Sequence, residues 1–560
     1  MKPYRLRALL GRSLPLMLLL LAALLRFYRL DAQSLWNDEG NSARIAERPL
    51  GLILEAAAGD IHPPGYYIML HGWRALAGHS EFALRFPSAL AGVALVALTL
   101  RLGRRSFGRD VGLAAGWLAA LSPFAIYYSQ EARMYALLGA LGAASTLVMG
   151  LLLRVGGDSM AAGRGSLPAP RTGWLVAYVL LGTAGLYTQY VFPFILAVHN
   201  VVFGVAWWVL LRRTPVRWRW LLAWAGAQAA MALLYLPWLP IALGGVTGWS
   251  AAGRSHPLAA ALLDVLRVLS LGLTWPLERA AVGMVCFGLL FALGLLPARD
   301  GWGERLGVLT FALYALGPIG LVVAFDLYKP AWLKFLLIVL PAWHVLVARG
   351  IVRLAGWARH RARSLSRIVA IAGCLALAAL SAPSLGNLYF NPAYARDDYR
   401  GIAAHLAASA PPDACVVLDA PNQWEVFTYY YPDRNVYPAP YRPTPAEARQ
   451  FLERVLERCE RLYVLYWGQA ESDPQALIET ALAERAYPAD ARWYGNVRLT
   501  LYGVGATPAA PQRPSGADFG ASIRLHGVAV EEALARGGIL PVTLFWQALA
   551  PIGERYKVTV

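Results

Sequence analysis

Charge and cysteine are scarce in this sequence. Charged residues make up 15% of its 560 residues, hydrophobic residues make up 58%, and the mean hydropathy is +0.45. The apolar share of an ordinary soluble protein is about half. The composition therefore excludes an ordinary soluble protein and predicts a polytopic membrane protein.

The four cysteines show no metal-type spacing, so the sequence offers no structural zinc site. Cys286 and Cys374 fall in apolar segments and are predicted to be small core residues. Cys415 and Cys459 fall in the later polar region, where pairing and reduced thiols both stay open; pairing requires that this region be exported. The same region has no GxGxxG or P-loop pattern, so no cofactor is predicted there.

Positive charge is unevenly distributed. The formal net charge of +17 is compatible with nucleic-acid binding, but basic residues in a membrane protein also set topology. They collect in the connections 101–109, 154–171, 212–219, 297–305 and 349–367, and the alternate connections hold few. Because cytoplasmic loops are rich in Lys and Arg, we predict a multi-pass protein of the inner (plasma) membrane with a cytoplasmic N-terminus. Its partner is then the bilayer and not a nucleic acid.

Apolar segments long enough to cross a bilayer recur along the first part of the chain. We predict about eleven transmembrane helices, near 10–30, 83–101, 111–127, 135–153, 174–190, 192–211, 220–243, 280–297, 306–325, 332–348 and 368–386. The amphipathic segment 262–277 is predicted to lie in the interface or to re-enter, because a further span would invert the later topology. The fold class is thus a polytopic α-helical membrane protein, with residues 1–386 as its transmembrane domain.

The composition changes after residue 386. Helix-like and strand-like segments alternate over 387–505, which predicts an extracytoplasmic α/β domain. A Pro/Ala-rich linker is predicted at 506–517. Strand-like runs over 518–560 predict the start of a β-sandwich-like module, truncated because three strands leave unpaired edges.

Two adjacent carboxylates, Asp38 and Glu39, directly follow the first predicted span. Carboxylates near hydrocarbon are costly and are usually retained for binding or proton transfer. The alternative is that Asp38 caps a helix whose first turn contains Glu39. An interfacial helix or a plain connector is predicted to follow over 43–58.

Two further polar segments lie between apolar ones. Asp60 and His62 precede two prolines, which fix an extended backbone and stop a helix. Glu131 and Arg133 lie in the run 127–135 (YYSQEARMY). If all three loops lie on one side of the membrane, their ionisable groups meet in one cleft.

These motifs together resemble the GT-C glycosyltransferases of the protein-O-mannosyltransferase and aminoarabinose-transferase type (family 39/83-like), and bacterial members in particular. The resemblance rests on the Asp-Glu pair, the Asp-x-His-Pro-Pro turn, the acidic run 127–135, and the segments 85–92 (RFPSALAG) and 122–123 (SP). It is clear over residues 10–200 and loose beyond them. It implies a GT-C-like fold and a lipid-linked sugar donor.

The resemblance implies that Asp38 is the catalytic base and that a cation near Lys334 contacts the donor phosphate. Members often have Arg-Tyr where this chain has Lys334-Phe335, so the contact here is a point charge without the fork of Arg. The alternative is that Lys334 anchors its span at the headgroups. The predicted catalytic residues are Asp38, Glu39 and Glu131, and the predicted substrate-binding residues are Asp60, His62, Arg133, Tyr128, Tyr135, Lys329, Lys334 and Gln189.

One base and direct displacement at the anomeric carbon would invert the stereochemistry. A retaining route needs a second carboxylate as nucleophile, and Glu131 is the candidate. No cofactor is implied with certainty. A divalent metal that neutralises the phosphate is an open alternative, with Glu39, Asp60, His62 and Glu131 as its ligands.

We therefore predict an integral-membrane glycosyltransferase that moves a hexosyl or pentosyl group from a polyprenyl-phosphate carrier to an extracytoplasmic protein, lipid or cell-wall glycan. Nucleotide sugars are made in the cytoplasm, whereas the predicted site faces outward, so the donor must already have crossed. The alternatives are a transporter or channel whose carboxylates line an ion path, or a scaffold without chemistry. The ionisable groups collect in loops at one surface, which favours catalysis. The sequence indicates neither the sugar, nor the acceptor, nor the oligomeric state.

Overall fold

The computed structural model describes residues 3–153, 170–211, 217–247, 257–297, 302–324, 328–358, 362–432, 435–459, 461–504, 508–530, 540 and 542–552. The chain divides into two compact units. The first comprises Met1–Gln33 and Ser42–Ala395, and the second comprises Ser34–Asn41 and Arg396–Val560. The short segment Ser34–Asn41, which we had assigned to the transmembrane domain, thus clusters with the C-terminal region.

The described helices before residue 396 are named α1 to α17 in chain order. They are Pro3–Phe27, Asn37–Glu47, Leu50–Ala58, Gly65–Ala77, Glu81–Phe107, Arg109–Leu121, Pro123–Ser129, Tyr135–Leu153, Thr172–Thr188, Phe192–Ala206, Arg217–Tyr235, Leu239–Thr247, Leu258–Leu271, Ala281–Leu295, Trp302–Ala324, Leu340–Ala358 and Arg363–Phe390. A 3-10 helix, Pro330–Val339, leads directly into α16.

Within the described residues, six helices are long and apolar enough to cross a membrane, or up to eight if each of two bent pairs is one span. The six are Glu81–Phe107, Tyr135–Leu153, Phe192–Val209, Trp302–Ala324, Pro330–Ala358 and Arg363–Phe390, and the pairs are Arg109–Leu121 with Pro123–Ser129 and Arg217–Tyr235 with Leu239–Gly245. The multi-pass helical class is thereby confirmed. Eleven spans would also require three shorter apolar helices to cross, Ser13–Phe27, Thr172–Thr188 and Ala281–Leu295, so the exact number stays a prediction.

The bend of 56° between α6 and α7 has a local cause. Pro123 has no N–H to continue the α6 hydrogen-bond ladder, and the Ser122 hydroxyl accepts the Ala125 N–H as a new cap. The chain therefore starts a fresh helix that leads into the polar run 129–134.

Two predicted segments differ in detail from the structure. The segment 43–58, predicted as an interfacial helix or a plain connector, is helical but divided, because Pro49 separates α2 from α3; its position in the interface stays a prediction. The segment predicted at 262–277 forms α13, which ends before Gly272 after 14 residues. At 1.5 Å per residue, a helix of that length covers about 21 Å and is too short to cross the hydrocarbon core.

Small residues bring helices of the first unit into close contact. A Cβ added at Gly294 would lie 2.0 Å from the Leu346 carbonyl oxygen, and one added at Gly350 would lie 1.9 Å from that of Leu290. Glycine on each helix therefore lets α14 and α16 pack backbone to backbone, as is common between membrane helices.

The second unit contains two sheets. Its described helices α18 to α22 are Tyr399–Ser409, Trp424–Tyr430, Pro445–Leu456, Gln469–Ser472 and Leu477–Ala483, and its strands β1 to β8 are Cys415–Leu418, Val436–Pro438, Arg461–Tyr466, Ala486–Tyr494, Val497–Val504, Arg513–Phe519, Ile523–Val530 and Val542–Ala548. The first sheet has the order β2-β1-β3-β5-β4, with β1 parallel to both of its neighbours. The second has the order β6-β7-β8 and is antiparallel.

A disulfide joins Cys415 at the start of β1 to Cys459, with a Cα–Cα distance of 5.9 Å. Cys286 and Cys374 are free thiols. Of the two alternatives for the later cysteine pair, the structure contains the bonded one. A disulfide of this kind is typical of an oxidising compartment.

Strand β4 pairs along its length with β5 and forms one edge of the first sheet. The predicted linker 506–517 is too long, because β6 already begins at Arg513, which pairs with Val528.

Candidate functional site

The turn before α4 holds Asp60 through local hydrogen bonds. The Tyr67 hydroxyl donates to Asp60 Oδ2 at 2.7 Å, and the Ile61 N–H donates to Oδ1 at 2.6 Å. Helix α4 begins at Gly65, directly after the two prolines. A Cβ at Gly65 would lie 2.5 Å from the Tyr187 carbonyl oxygen, so this helix start requires glycine.

Arg133 gathers side chains from three segments. Its Nη1 donates to the Ser42 hydroxyl at 3.0 Å and to the Tyr67 hydroxyl at 3.4 Å, and its Nη2 lies 3.2 Å from His62 Nε2. His62 Nδ1 in turn lies 3.4 Å from Asp60 Oδ2. We call Ser42, Asp60, His62, Tyr67 and Arg133 the Arg133 cluster.

The charges of the Arg133 cluster set the protonation of its acid and its base. Burial alone would raise the pKa of Asp60, but His62, Arg133 and Tyr67 together lower it well below its ordinary value. Burial, with the positive charges of Arg133 and Lys334, lowers the pKa of His62 against the opposing effect of Asp60. Near neutral pH, therefore, Asp60 is ionised and His62 is neutral. A neutral ring is required here, because a guanidinium only donates and needs an acceptor nitrogen.

Residues of two motifs place Arg133. The Ser88 hydroxyl donates to the Arg133 carbonyl oxygen at 2.9 Å, and the Gln130 amide donates to the carbonyl oxygens of Arg26 and Tyr28. These contacts fix the run 129–134 against α5 and the end of α1. Ser88 and Gln130 belong to the segments that carry the family resemblance, but they were absent from the predicted site. A test for polar residues inside apolar helices would have found Ser88.

Two cations lie over one aromatic ring beside this cluster. Arg133 Cζ is 5.8 Å and Lys334 Nζ is 5.3 Å from the centroid of Tyr135. The Tyr128 ring packs edge-on against Tyr135 at 5.3 Å. The structure thus brings Asp60, His62, Tyr128, Arg133, Tyr135 and Lys334 of the predicted set together. Two positive charges against one carboxylate make this region suitable for an anion.

Phe335 connects the polar region to an apolar cavity. Its ring centroid lies 6.4 Å from that of His62 and 5.9 Å from that of Tyr135. Phe335 also lines an apolar cavity that is partly open, whose empty volume of about 660 Å³ includes open solvent at its mouth. The other lining residues are Val191, Phe194, Ala261, Leu262, Val265, Pro318, Ile319, Val322, Val323, Tyr328, Lys329, Trp332, Leu333, Leu336 and Ile338. Among the described lining residues, Lys329 alone carries a formal charge.

The predicted Glu131 and Gln189 sites have different surroundings. Glu131 is fully buried, and its backbone oxygen accepts the Arg133 N–H at 2.7 Å. Gln189 is also fully buried, and among the described contacts its side chain bonds only to the Tyr190 N–H of its own turn. Tyr190 is the residue of this turn near Asp60: burial raises its pKa, a hydrogen bond from Trp238 opposes this, and the Asp60 charge adds to the increase. Sequence analysis missed Trp238.

Asp38 and Glu39 are placed by the second unit. Both lie in the first turn of α2, where Asp38 is half-buried and Glu39 is fully buried. Glu39 Oε2 pairs with Arg396 at 3.4 Å and accepts the Trp36 N–H at 3.4 Å. Glu39 thus contacts the backbone at the start of its own helix, and its catalytic role stays a prediction. That Asp38 shares a pocket with Glu131 stays a prediction.

The four predicted metal ligands do not form a metal site. No group of three or more His, Cys, Asp or Glu side chains that could hold an ion occurs among the residues described. Asp60 and His62 contact Tyr67 and Arg133 instead, so a guanidinium lies where the cation was expected. We derive no step through a metal.

Comparisons with known proteins support the fold and the enzyme class. Residues 61–241 match the family model described as dolichyl-phosphate-mannose-protein mannosyltransferase. The structure is similar to that of ArnT from Cupriavidus metallidurans bound to undecaprenyl phosphate, with 16% identity, a TM-score of 0.54, and coverage of 89% of this chain and 99% of that one.

It is also similar to the archaeal oligosaccharyltransferase AglB from Archaeoglobus fulgidus in complex with an inhibitory peptide and a dolichol-phosphate. That match has 12% identity, a TM-score of 0.54, and coverage of 90% of this chain and 75% of that one. A search of curated protein sequences finds no match. At these identities the structural likeness establishes the fold, and the family model over 61–241 adds the transferase class. The chain has the fold of the GT-C glycosyltransferases, and its residues 61–241 match a mannosyltransferase family model.

Proposed function

We propose that this protein transfers a sugar from a polyprenyl-phosphate-linked donor to an acceptor outside the cytoplasm, with inversion at the anomeric carbon. The observation that carries the proposal is the continuity through Phe335, which lines the apolar cavity and also packs against His62 and Tyr135. One ligand with an apolar tail and an anionic head fits both regions.

The cavity suits the tail of such a donor. Its lining is apolar apart from the segment Tyr328 to Trp332, so a hydrocarbon chain is buried there without leaving polar groups unpaired. The ligands in the two similar structures, undecaprenyl phosphate and dolichol-phosphate, belong to the same lipid class.

The cations suit the phosphate. As the glycosidic bond breaks, negative charge develops on the departing polyprenyl phosphate, and fixed positive charges stabilise it. The cationic groups of Arg133 and Lys334 both lie over the Tyr135 ring, and Lys329 lines the cavity. Arg133 is 2% exposed, so its charge acts in surroundings with little water to screen it.

Asp38 is the proposed base. In the transfer, an acceptor hydroxyl gives its proton to the Asp38 carboxylate while its oxygen forms a bond to the anomeric carbon. The bond from that carbon to the phosphate oxygen breaks, and the phosphate leaves with the electron pair. Glu39 is paired with Arg396 at the start of α2, and the half-buried Asp38 lies beside it in the same helical turn.

The disulfide and the distribution of positive charge both support a position of the second unit outside the cytoplasm. A Cys415–Cys459 bond is stable where the second unit faces an oxidising compartment. The basic connections of the first unit favour the cytoplasm. Together they support an extracytoplasmic second unit and therefore a donor carried by lipid.

The test compares donors and one variant. Purified full-length protein is given a panel of nucleotide sugars or of polyprenyl-phosphate sugars, with envelope extract as acceptor. We expect transfer from a lipid-linked donor only, and we expect Asp38→Asn to reduce it by roughly 10²–10⁴-fold, the usual contribution of general-base catalysis. Turnover of a nucleotide sugar without a lipid carrier, or full activity of Asp38→Asn with unchanged expression, would refute the proposal.

A further inference from the structure

The segment that carries Lys329 passes along the apolar cavity. Tyr328, Lys329 and Trp332 all line it, and Lys329 Nζ lies 4.6 Å from the centroid of the Trp332 ring. Lys329 is also the last extended residue before the 3-10 helix Pro330–Val339, with φ −141° and ψ 144°. Tyr328, the residue before it, is therefore the described residue from which the backbone reaches Lys329.

Asp264 on α13 holds Tyr328. The Tyr328 hydroxyl donates to Asp264 Oδ2 at 3.0 Å, and the other oxygen, Oδ1, accepts from Arg267 Nε at 2.8 Å and Nη2 at 2.5 Å. The carboxylate thus uses one oxygen for each partner. This division leaves Oδ2 oriented toward the segment that carries Lys329.

Arg267 is itself fixed to the backbone. Its Nη1 donates to the carbonyl oxygens of Gly272, Leu273 and Trp275, at 3.3, 3.2 and 3.0 Å. These are carbonyl groups at and beyond the end of α13, which the helix itself cannot satisfy. The Asp264 carboxylate, which accepts from Tyr328, is therefore bonded to an arginine that three backbone carbonyl groups hold in place.

The Tyr328 hydroxyl remains a donor at physiological pH. Burial, followed by the hydrogen bond and the charge of Asp264, raises the pKa of Tyr328 to about 12. A hydrogen bond to an ionised acceptor is stronger than one between neutral groups. The contact persists under the conditions in which the enzyme works.

We propose that Asp264 and Tyr328 are positioning residues for the donor phosphate: their hydrogen bond holds Lys329 where its ammonium meets the head of a polyprenyl phosphate whose tail lies in the cavity. This inference rests on the proposed function, because it concerns the same donor. The Tyr328 hydroxyl acts through Lys329, whereas the apolar tail contacts the Tyr328 ring, which Tyr328→Phe keeps.

The experiment measures the affinity of full-length protein in nanodiscs for two lipids, undecaprenyl phosphate and the phosphate-free undecaprenol. We expect Tyr328→Phe to weaken binding of undecaprenyl phosphate about tenfold, the effect of one hydrogen bond to a charged group, and to leave undecaprenol binding unchanged. Lys329→Ala should also weaken only the phosphate lipid. In the Lys329→Ala background, Tyr328→Phe should add nothing, because both changes remove the same contact.

The matched control is Tyr389→Phe, which removes a hydroxyl that donates to the Leu25 carbonyl oxygen and does not line the cavity. It should leave both affinities unchanged. Equal losses for the two lipids, no loss, or additive effects of Tyr328→Phe and Lys329→Ala would each overturn the inference. If the unmodified protein binds neither lipid, the proposed donor class itself fails, and this result is distinct from the other three.

Discussion

At the scale of single residues, Arg133 is the group on which most of the first unit's polar region depends. Its two terminal nitrogens contact Ser42 on α2, Tyr67 on α4 and His62 in the turn between them. A guanidinium presents several donors in a fixed plane, whereas an ammonium is a single compact charge. The shape of the Arg133 guanidinium therefore matters as well as its charge.

We therefore expect Arg133→Lys to lower kcat/KM for sugar transfer by about ten- to a hundredfold, because a lysine cannot keep all three contacts. The matched control is Arg485→Lys, which alters a surface pair with Glu453 in which both side chains are about half exposed. Such exposed pairs contribute little. Steady-state rates with a lipid-linked donor decide the matter, and equal activity of the two variants would contradict the role given to Arg133.

Asp419 is an unusual acid in the second unit. It follows β1 directly and is fully buried, and neither of its carboxylate oxygens has a hydrogen-bond partner among the residues that the structure describes. Burial, together with the charges of Asp473 and Glu479, raises its pKa to about 7, while Arg498 opposes the shift. The folded state therefore holds a proton that the unfolded chain, with a pKa of about 3.9, has already released.

The sign of the pH dependence follows from that difference. Because the folded state binds more protons between about pH 4 and pH 7, stability is lost as pH rises through that range, by at most about 4 kcal/mol. We expect Asp419→Asn to raise the unfolding temperature at pH 8 and to leave it nearly unchanged at pH 4. Thermal unfolding of the full chain measures this, with the exposed Asp490→Asn as control. An equal increase in unfolding temperature at pH 4 and pH 8 would contradict the raised pKa of Asp419.

At the scale of elements, the start of α2 is built into the second unit. The Ser34 hydroxyl donates to the Asp397 carbonyl oxygen at 2.8 Å, and the Leu35 N–H donates to the Tyr430 hydroxyl at 2.7 Å. Gly40 packs directly on α19, where an added Cβ would lie 2.3 Å from Val426 Cα. The helix that carries Asp38 thus depends on a glycine for its position.

Gly40→Ala should displace the start of α2, because the clash is with backbone and no side-chain rotation relieves it. We expect a loss of transfer activity of at least tenfold without loss of membrane insertion. Gly51→Ala on α3 is the matched control: nothing lies within 4 Å of the added Cβ, and alanine favours a helix. If both variants keep full activity, the close contact does not position the proposed base.

At the scale of the whole molecule, orientation depends on charge. The basic connections predict that residues 101–109 face the cytoplasm and that the second unit lies outside. The Cys415–Cys459 bond supports the second half of this prediction. That residues 101–109 face the cytoplasm stays a prediction.

Labelling of intact cells with a membrane-impermeant maleimide tests the predicted orientation in the membrane. In a background where alanine replaces Cys286 and Cys374, we expect Ser409→Cys, which is exposed on α18, to be labelled. Ser106→Cys, in the first basic connection, should be labelled only after permeabilisation. The opposite pattern would place the second unit in the cytoplasm and remove the reason for a lipid-linked donor.

Much of the site was predictable because its motifs are local. Asp60 and His62 were found from the two prolines that follow them, and Arg133 from an ionisable run between apolar segments. Trp238 and Ser88 were absent from the predicted site, because each acts through a contact with a residue far away in sequence. The predicted metal ligands failed for the same reason, since the guanidinium that contacts His62 comes from 71 residues further along the chain.

The sequence by itself determined the membrane class, the α/β character of the C-terminal region and the family resemblance. These follow from composition, from periodicity and from short motifs, which report on neighbours along the chain. Only the tertiary structure decided that α2 begins among residues of the second unit, that Asp264 holds Tyr328 beside Lys329, and that Phe335 links a polar region to an apolar cavity. Such contacts are settled by packing between distant segments, and no local pattern in a single sequence encodes which of them will meet.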